Sequence, residues 1–249
     1  MPMNQVFKNV DPLLAFKNNR RLFFLAFATT VFVVPVTVLE HEGGHILAAK
    51  ILGYETRLHY ARMDAFGTPV ADQWNKFMLE HAKEIVDGVP FENDQRFEEL
   101  DRQFFWDNYL ITLGGPITSV LTGMVGFFIL IYRQKRNSCW SVSNWIGLFL
   151  SIFLTRYLYM FFHRLPQYWL TGDKVTYYTR DEVWLAYRMG LPTWMFFISA
   201  GLIAFAICWY IFFRIIGKDI RPPIFWGSLI GTGTSYILWI HWIGPIILP

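Results

Sequence analysis

Four long stretches of this chain contain no Asp, Glu, Lys or Arg, and they constrain the fold more than any other feature. They cover residues 22–39, 109–132, 191–213 and 222–249. A helix needs about 20 apolar residues to cross the hydrocarbon core of a bilayer, so each stretch is long enough to span it. A fifth stretch, residues 140–162, is interrupted by one charge, Arg156. We therefore predict five membrane-spanning helices.

The composition agrees with a membrane protein, since 54% of the residues are hydrophobic and only 16% are charged. An ordinary soluble domain is less apolar than this. We expect an all-α polytopic membrane protein in which residues 1–249 form a single integral membrane domain. A polar insertion, residues 54–103, follows the first span. Within it, residues 56–63 alternate as a short β strand does, and residues 72–86 have the periodicity of an amphipathic helix.

The charge distribution limits the partners that this chain can bind. The net charge is only +3, and the basic residues cluster at the edges of the predicted spans, in 1–21, 133–136 and 214–221. This pattern excludes a nucleic-acid partner, which would require a basic stripe, and leaves the lipid bilayer as the surroundings. By the positive-inside rule these segments are cytoplasmic and the acidic insertion lies on the other side. Cys139 and Cys208 indicate neither a disulfide framework nor a cysteine zinc site.

The first apolar stretch runs directly into the sequence His-Glu-Gly-Gly-His at residues 41–45. If this segment is helical, His41 and His45 share one face and can bind the same metal ion, with Glu42 beside it. A catalytic zinc ion takes three protein ligands and keeps a position for water, whose pKa it lowers towards neutrality. Glu42 would then be the general base. The alternative is that these polar residues only begin the water-exposed part of the helix.

Two further features suggest inward-facing polar groups. The second span opens with Gly114-Gly115-Pro116, which frees backbone groups that lipid cannot satisfy, so this segment must face protein or a cavity. The third span contains Arg156, with His163 seven residues later on roughly the same face. Such groups point towards a carboxylate, a carbonyl or water, and we interpret them as a structural ion pair in preference to a catalytic one.

These residues resemble the site-2 protease family of intramembrane zinc metalloproteases. That family carries His-Glu-x-Gly-His in its first core helix, which residues 41–45 match. Residues 115–119 are similar to its Gly-Pro-x-x-Asn motif, with Ser119 in the Asn position. Residues 163–166 keep the proline of its Asn-x-x-Pro motif but lack the Asn. The short strand after the Leu52-Gly53 pair resembles that family's membrane-associated sheet. The resemblance covers roughly residues 22–192 and is most specific at the first motif.

The resemblance implies a zinc-dependent protease that hydrolyses a peptide bond of a membrane-anchored protein substrate, with Glu42 as its catalytic base. The metal ligands would be His41, His45 and an aspartate from the third core element. Asp181 fits the start of the ligand-bearing helix better, and Asp173 is the alternative. The residues expected to support the substrate are Gly115, Pro116 and Ser119.

Other functions remain open. A protease-like subunit that acts as a scaffold in a complex with other membrane subunits is suggested by the two missing Asn residues and the aromatic-rich spans. A small transporter is a weaker alternative, because the spans lack paired acidic residues and a visible repeat. The expected location is the bacterial inner (cytoplasmic) membrane. Family members usually keep the metal near the cytosolic face, which conflicts with the charge-based orientation.

Overall fold

The structure is a computed structural model that describes residues 19–135, 141–158, 161–162, 169–170 and 181–249. The alternative ligand Asp173 and the predicted motif at 163–166 lie outside these residues. The helices are α1 (Arg20–Ile51), α2 (Pro69–Glu80), α3 (Ala82–Asp87), α4 (Asp94–Lys135), α5 (Val142–Ser151), α6 (Asp181–Arg188), α7 (Trp194–Tyr210), α8 (Arg221–Leu238) and α9 (Gly244–Ile247). The strands are β1 (Glu55–Leu58) and β2 (Met63–Phe66).

Among the described residues, three helical segments are long and apolar enough to cross a membrane. They are Arg20–Ile51, Asp94–Gln134 and Trp194–Ile215, the last being α7 with its π-helical extension. A further apolar helix, Val142–Leu158, is shorter. The five predicted spans are therefore confirmed only in part. The stretch at 222–249 lies in α8 and α9, which are joined by a π-helical turn, and these helices are not among the three spans.

The secondary structure of the polar insertion differs from the one that its sequence predicts. The single strand expected at 56–63 is an antiparallel hairpin, in which Glu55 pairs with Phe66 and Leu58 with Met63. The turn at residues 59–62 contains neither Gly nor Pro, so the sequence lacks the usual signal of a reversal. The helix predicted at 72–86 is divided into α2 and α3 at His81. The acidic end of the insertion forms the start of α4, where acidic side chains interact favourably with the helix dipole.

Helix α1 packs against α8 through a face of small residues on α8. Gly227, Gly231 and Ser235 recur every four residues and are buried. The Ser235 hydroxyl donates a hydrogen bond to the Val31 carbonyl oxygen at 2.6 Å. A Cβ atom added to Gly231 would lie 2.6 Å from the carbonyl oxygen of Phe27. Small residues at this spacing let the two helix backbones come close together.

A second close contact joins α1 to α4. A Cβ atom added to Gly44 of α1 would lie 2.5 Å from the carbonyl oxygen of Gly114 in α4. The two helices run in opposite directions, because His45 contacts Ile111 while Glu40 contacts Thr122. The Gly44–Gly114 approach brings the histidine face of α1 directly against the Gly-Gly-Pro segment of α4.

Candidate metal centre

Three buried side chains of helix α1 are of types that can bind a metal ion. His41, Glu42 and His45 are 0%, 8% and 6% exposed. One ligand atom from each lies within 4.8 Å of the others, so the group can hold a metal ion. The Nε2 atoms of the two imidazoles are 3.2 Å apart. The four-residue spacing on a helix therefore brings the two rings together as the sequence predicts.

Asp181 reaches the same point from the first residue of α6. Its Oδ2 atom lies 2.8 Å from Nε2 of His41 and 3.4 Å from Nε2 of His45. Zinc binds nitrogen and oxygen at about 2.0–2.1 Å, so tetrahedral ligand atoms are about 3.3 Å from one another. The three separations, 3.2, 2.8 and 3.4 Å, are close to this value. The donor atoms thus fit a tetrahedral ion with one open position.

In each imidazole, the hydrogen-bond partner of Nδ1 determines whether Nε2 is free to bind a metal ion. Nδ1 of His45 lies 2.7 Å from the carbonyl oxygen of Ile111, which can only accept, so Nδ1 carries the proton. The N–H of Gly115 is farther from this nitrogen, at 3.3 Å, and does not set the tautomer. Nδ1 of His41 lies 3.1 Å from the Ser119 hydroxyl oxygen, and that hydroxyl donates to Glu40. In both neutral rings Nε2 therefore presents a lone pair.

Three acceptor atoms consequently converge with no hydrogen-bond donor between them. These are Nε2 of His41, Nε2 of His45 and Oδ2 of Asp181. Asp181 contributes a carboxylate to this group, and the guanidinium of Arg156 at 3.5 Å favours its ionised form, so it would be an anionic ligand. Acceptor atoms that face one another at these distances are unfavourable unless a proton donor or a cation lies between them. The arrangement therefore suits a metal ion.

Arg156 contacts the outer side of this cluster. Its Nη2 atom lies 3.5 Å from Oδ2 of Asp181, and both side chains are 26% exposed. The sequence predicts that Arg156 points inward at a carboxylate, a carbonyl or water, and in the structure it contacts the Asp181 carboxylate. A guanidinium at this distance shares the aspartate with the imidazoles and can hold α6 in place.

The predicted substrate-supporting residues lie beside the metal-binding side chains. A Cβ atom added to Gly115 would lie 2.7 Å from Nε2 of His41 and 2.6 Å from Cε1 of His45, so only glycine fits there. The carbonyl oxygen of Pro116 accepts a hydrogen bond from the hydroxyl of Tyr157 at 3.0 Å. Ser119 is 2% exposed and faces His41. Contact of any of these residues with a substrate stays a prediction.

Sequence reasoning missed the polar residues behind His41. Glu40 and Thr122 are joined by a 2.6 Å hydrogen bond between α1 and α4. The available signal was a carboxylate at the end of an uncharged apolar run, where an unpaired charge is expensive. Its partners are about 80 residues away, and no periodicity identifies them.

No family model, curated protein or solved structure matches this chain.

Proposed function

We propose that this protein is a zinc-dependent intramembrane protease that hydrolyses a peptide bond of a membrane-anchored protein, in the inner membrane of a bacterium. The observation that carries the proposal is the convergence of two imidazole nitrogens and a carboxylate oxygen within 3.4 Å of one another. Two histidines and one carboxylate are a donor set that catalytic zinc sites use. The helices around the cluster are apolar enough to lie in a bilayer, which favours a membrane-anchored substrate.

Each residue then has a defined role. His41, His45 and Asp181 would hold the ion and leave one position open. Zinc in such a site supplies a Lewis acid and lowers the pKa of water towards neutrality. Glu42 follows the first ligand in α1 and is 8% exposed. It would take the proton of the attacking water and deliver it to the leaving amine, which is general acid–base catalysis.

The test separates metal binding from catalysis by the substitution Glu42→Gln. The purified full-length protein and this variant are reconstituted in liposomes with labelled single-span peptides, and zinc content is measured on the same samples. We expect bound zinc to be retained and cleavage to fall by about 100- to 10,000-fold, the usual contribution of a general base. Undiminished cleavage by the variant would contradict the proposal.

A second candidate function is a scaffold subunit that no longer uses the site. It is favoured by the Arg156–Asp181 contact of 3.5 Å, because the guanidinium can partly neutralise the aspartate without a metal ion. The two candidates differ in the zinc content of the wild-type protein after purification and after dialysis against zinc. About one zinc ion per chain supports the protease, and none at all supports the scaffold.

A further inference from the structure

A line of three hydrogen-bonding side chains lies behind His41, on the side away from Asp181. The Ser119 hydroxyl oxygen is 3.1 Å from Nδ1 of His41. The same hydroxyl donates to Oε2 of Glu40 at 3.1 Å. The Thr122 hydroxyl donates to Oε1 of Glu40 at 2.6 Å. Both carboxylate oxygens of Glu40 are therefore bonded to α4.

The direction of each bond follows from what the groups can do. A carboxylate only accepts, so the protons of both hydroxyl groups point at Glu40. The Ser119 oxygen is then left to accept from Nδ1–H of His41, which leaves Nε2 without a proton. A hydrogen bond to an ionised acceptor is stronger than one between neutral groups. Glu40 thus fixes the orientation of Ser119, and Ser119 fixes the tautomer and the ring angle of His41.

The two metal-binding histidines are supported in different ways. His45 donates to the backbone carbonyl of Ile111, which no side-chain substitution removes. Among the described residues, the support for Nδ1 of His41 comes from a side chain, Ser119. Partners of this kind orient metal-binding histidines and raise their basicity, and losing one typically weakens metal binding by about 10- to 100-fold.

We propose that Glu40, acting through Ser119, is a positioning residue that prepares His41 to bind the metal ion, with Thr122 holding the second oxygen of Glu40. This inference rests on the proposed metal centre. It assigns a role to an acidic residue at the end of an apolar helical stretch, where a bare charge would be costly.

The test measures metal affinity, so it does not depend on a substrate. Full-length wild type, Ser119→Ala, Glu40→Gln and the double variant are purified in detergent and titrated with zinc in a metal buffer. Each single variant should bind zinc about 10- to 100-fold more weakly. Because both act through one hydrogen-bonded path, the double variant should bind about as weakly as the weaker single variant, instead of showing the product of both effects.

A matched control is available in Ser151→Ala. Ser151 is 3% exposed and Ser119 is 2% exposed, but the Ser151 hydroxyl bonds to the Gly147 carbonyl within its own helix. This variant should bind zinc like the wild type. Replacing zinc with cobalt gives a second readout, since the visible absorption of Co²⁺ reports ligand geometry and should change in Ser119→Ala but not in Ser151→Ala.

The outcomes are distinct. Wild type that binds no zinc contradicts the proposed function itself. Wild type that binds zinc while Ser119→Ala and Glu40→Gln bind it equally well overturns the positioning role alone, as do independent, multiplying effects in the double variant. If Glu40→Gln does not fold, Ser119→Ala and Thr122→Val decide the matter, and Thr122→Val should have the smaller effect because Ser119 still holds Glu40.

Discussion

At the scale of single residues, Gly115 decides whether the two imidazoles can keep their positions. A Cβ atom there would lie within 2.7 Å of ring atoms of both His41 and His45. We expect Gly115→Ala to displace the rings and to weaken zinc binding by about 100-fold or more. This exceeds the usual effect of removing the hydrogen-bond partner of one metal-binding histidine. Zinc content of the folded, purified variant measures this effect.

Gly43 provides the control for this substitution. It lies between Glu42 and Gly44 in the same helix, but a Cβ atom at Gly43 would meet nothing within 4 Å. Gly43→Ala should therefore retain zinc. Equal zinc content in Gly115→Ala and Gly43→Ala would show that the space beside the imidazoles does not limit metal binding.

The sequence pattern predicts which residues form the site only where those residues lie close to one another along the chain. The pair His41 and His45 followed from helical spacing, which is a local property. Asp181 lies 140 residues after His41, and only the resemblance to a protease family indicated it. The Glu40–Ser119 bond connects two helices, and nothing in either local sequence indicates which residues meet. Side-chain pairs of this kind depend on how the helices pack.

At the scale of elements, the long apolar helices were predictable and their ends were not. The long helices α1 and α4 follow from their uncharged stretches. The sequence predicts one strand where the structure has the hairpin of β1 and β2, because the turn between them contains neither Gly nor Pro. Helix α4 begins at Asp94, well before its apolar part, since a solvent-exposed acidic segment remains helical when it continues a packed helix.

The packing of α8 on α1 gives a prediction with an internal control. Gly231 is buried against Phe27, whereas a Cβ atom at Gly233 would meet nothing within 4 Å. We expect Gly231→Ala to reduce the free energy of unfolding by about 1–3 kcal/mol through overpacking. Gly233→Ala should leave it unchanged or raise it by up to about 1 kcal/mol, because alanine favours helix. Thermal unfolding in detergent compares the two, and similar melting temperatures would contradict this close helix contact.

At the scale of the whole molecule, the antiparallel helices α1 and α4 would set the depth of the proposed metal centre in a bilayer. His41 is 19 residues, or about 29 Å, from Leu22, where the uncharged part of α1 begins. Its neighbour Ser119 is ten residues, or about 15 Å, from Tyr109, where the uncharged part of α4 begins. The sum is close to the full thickness of a bilayer with its headgroups, about 40–45 Å. With α1 and α4 crossing a bilayer, the proposed centre would lie about one third of the way in from the hairpin side.

This depth predicts where a substrate would be cut. In single-span reporter peptides reconstituted with the protein, the cleaved bond should lie about six residues inside the apolar segment from its end on the hairpin side, because about 6 Å of the 15 Å is headgroup region. Mass spectrometry of the two products identifies that bond. Cleavage at the opposite third of the segment, by a protein whose Glu42→Gln variant is inactive, would place the centre at another depth.

The three proposed metal ligands lie in two helices that are far apart in the sequence, and this also affects the stability of the folded chain. His41 and His45 belong to α1, while Asp181 opens α6, so an ion bound by all three would cross-link positions 140 residues apart. Closing so long a loop is entropically costly for an unfolded chain, and a ligand that binds only the folded form offsets that cost. At a free ion concentration 100 times the dissociation constant, binding would raise the free energy of unfolding by about 2.7 kcal/mol. The ion would thus serve as a tertiary contact that docks α6, in addition to any role in chemistry.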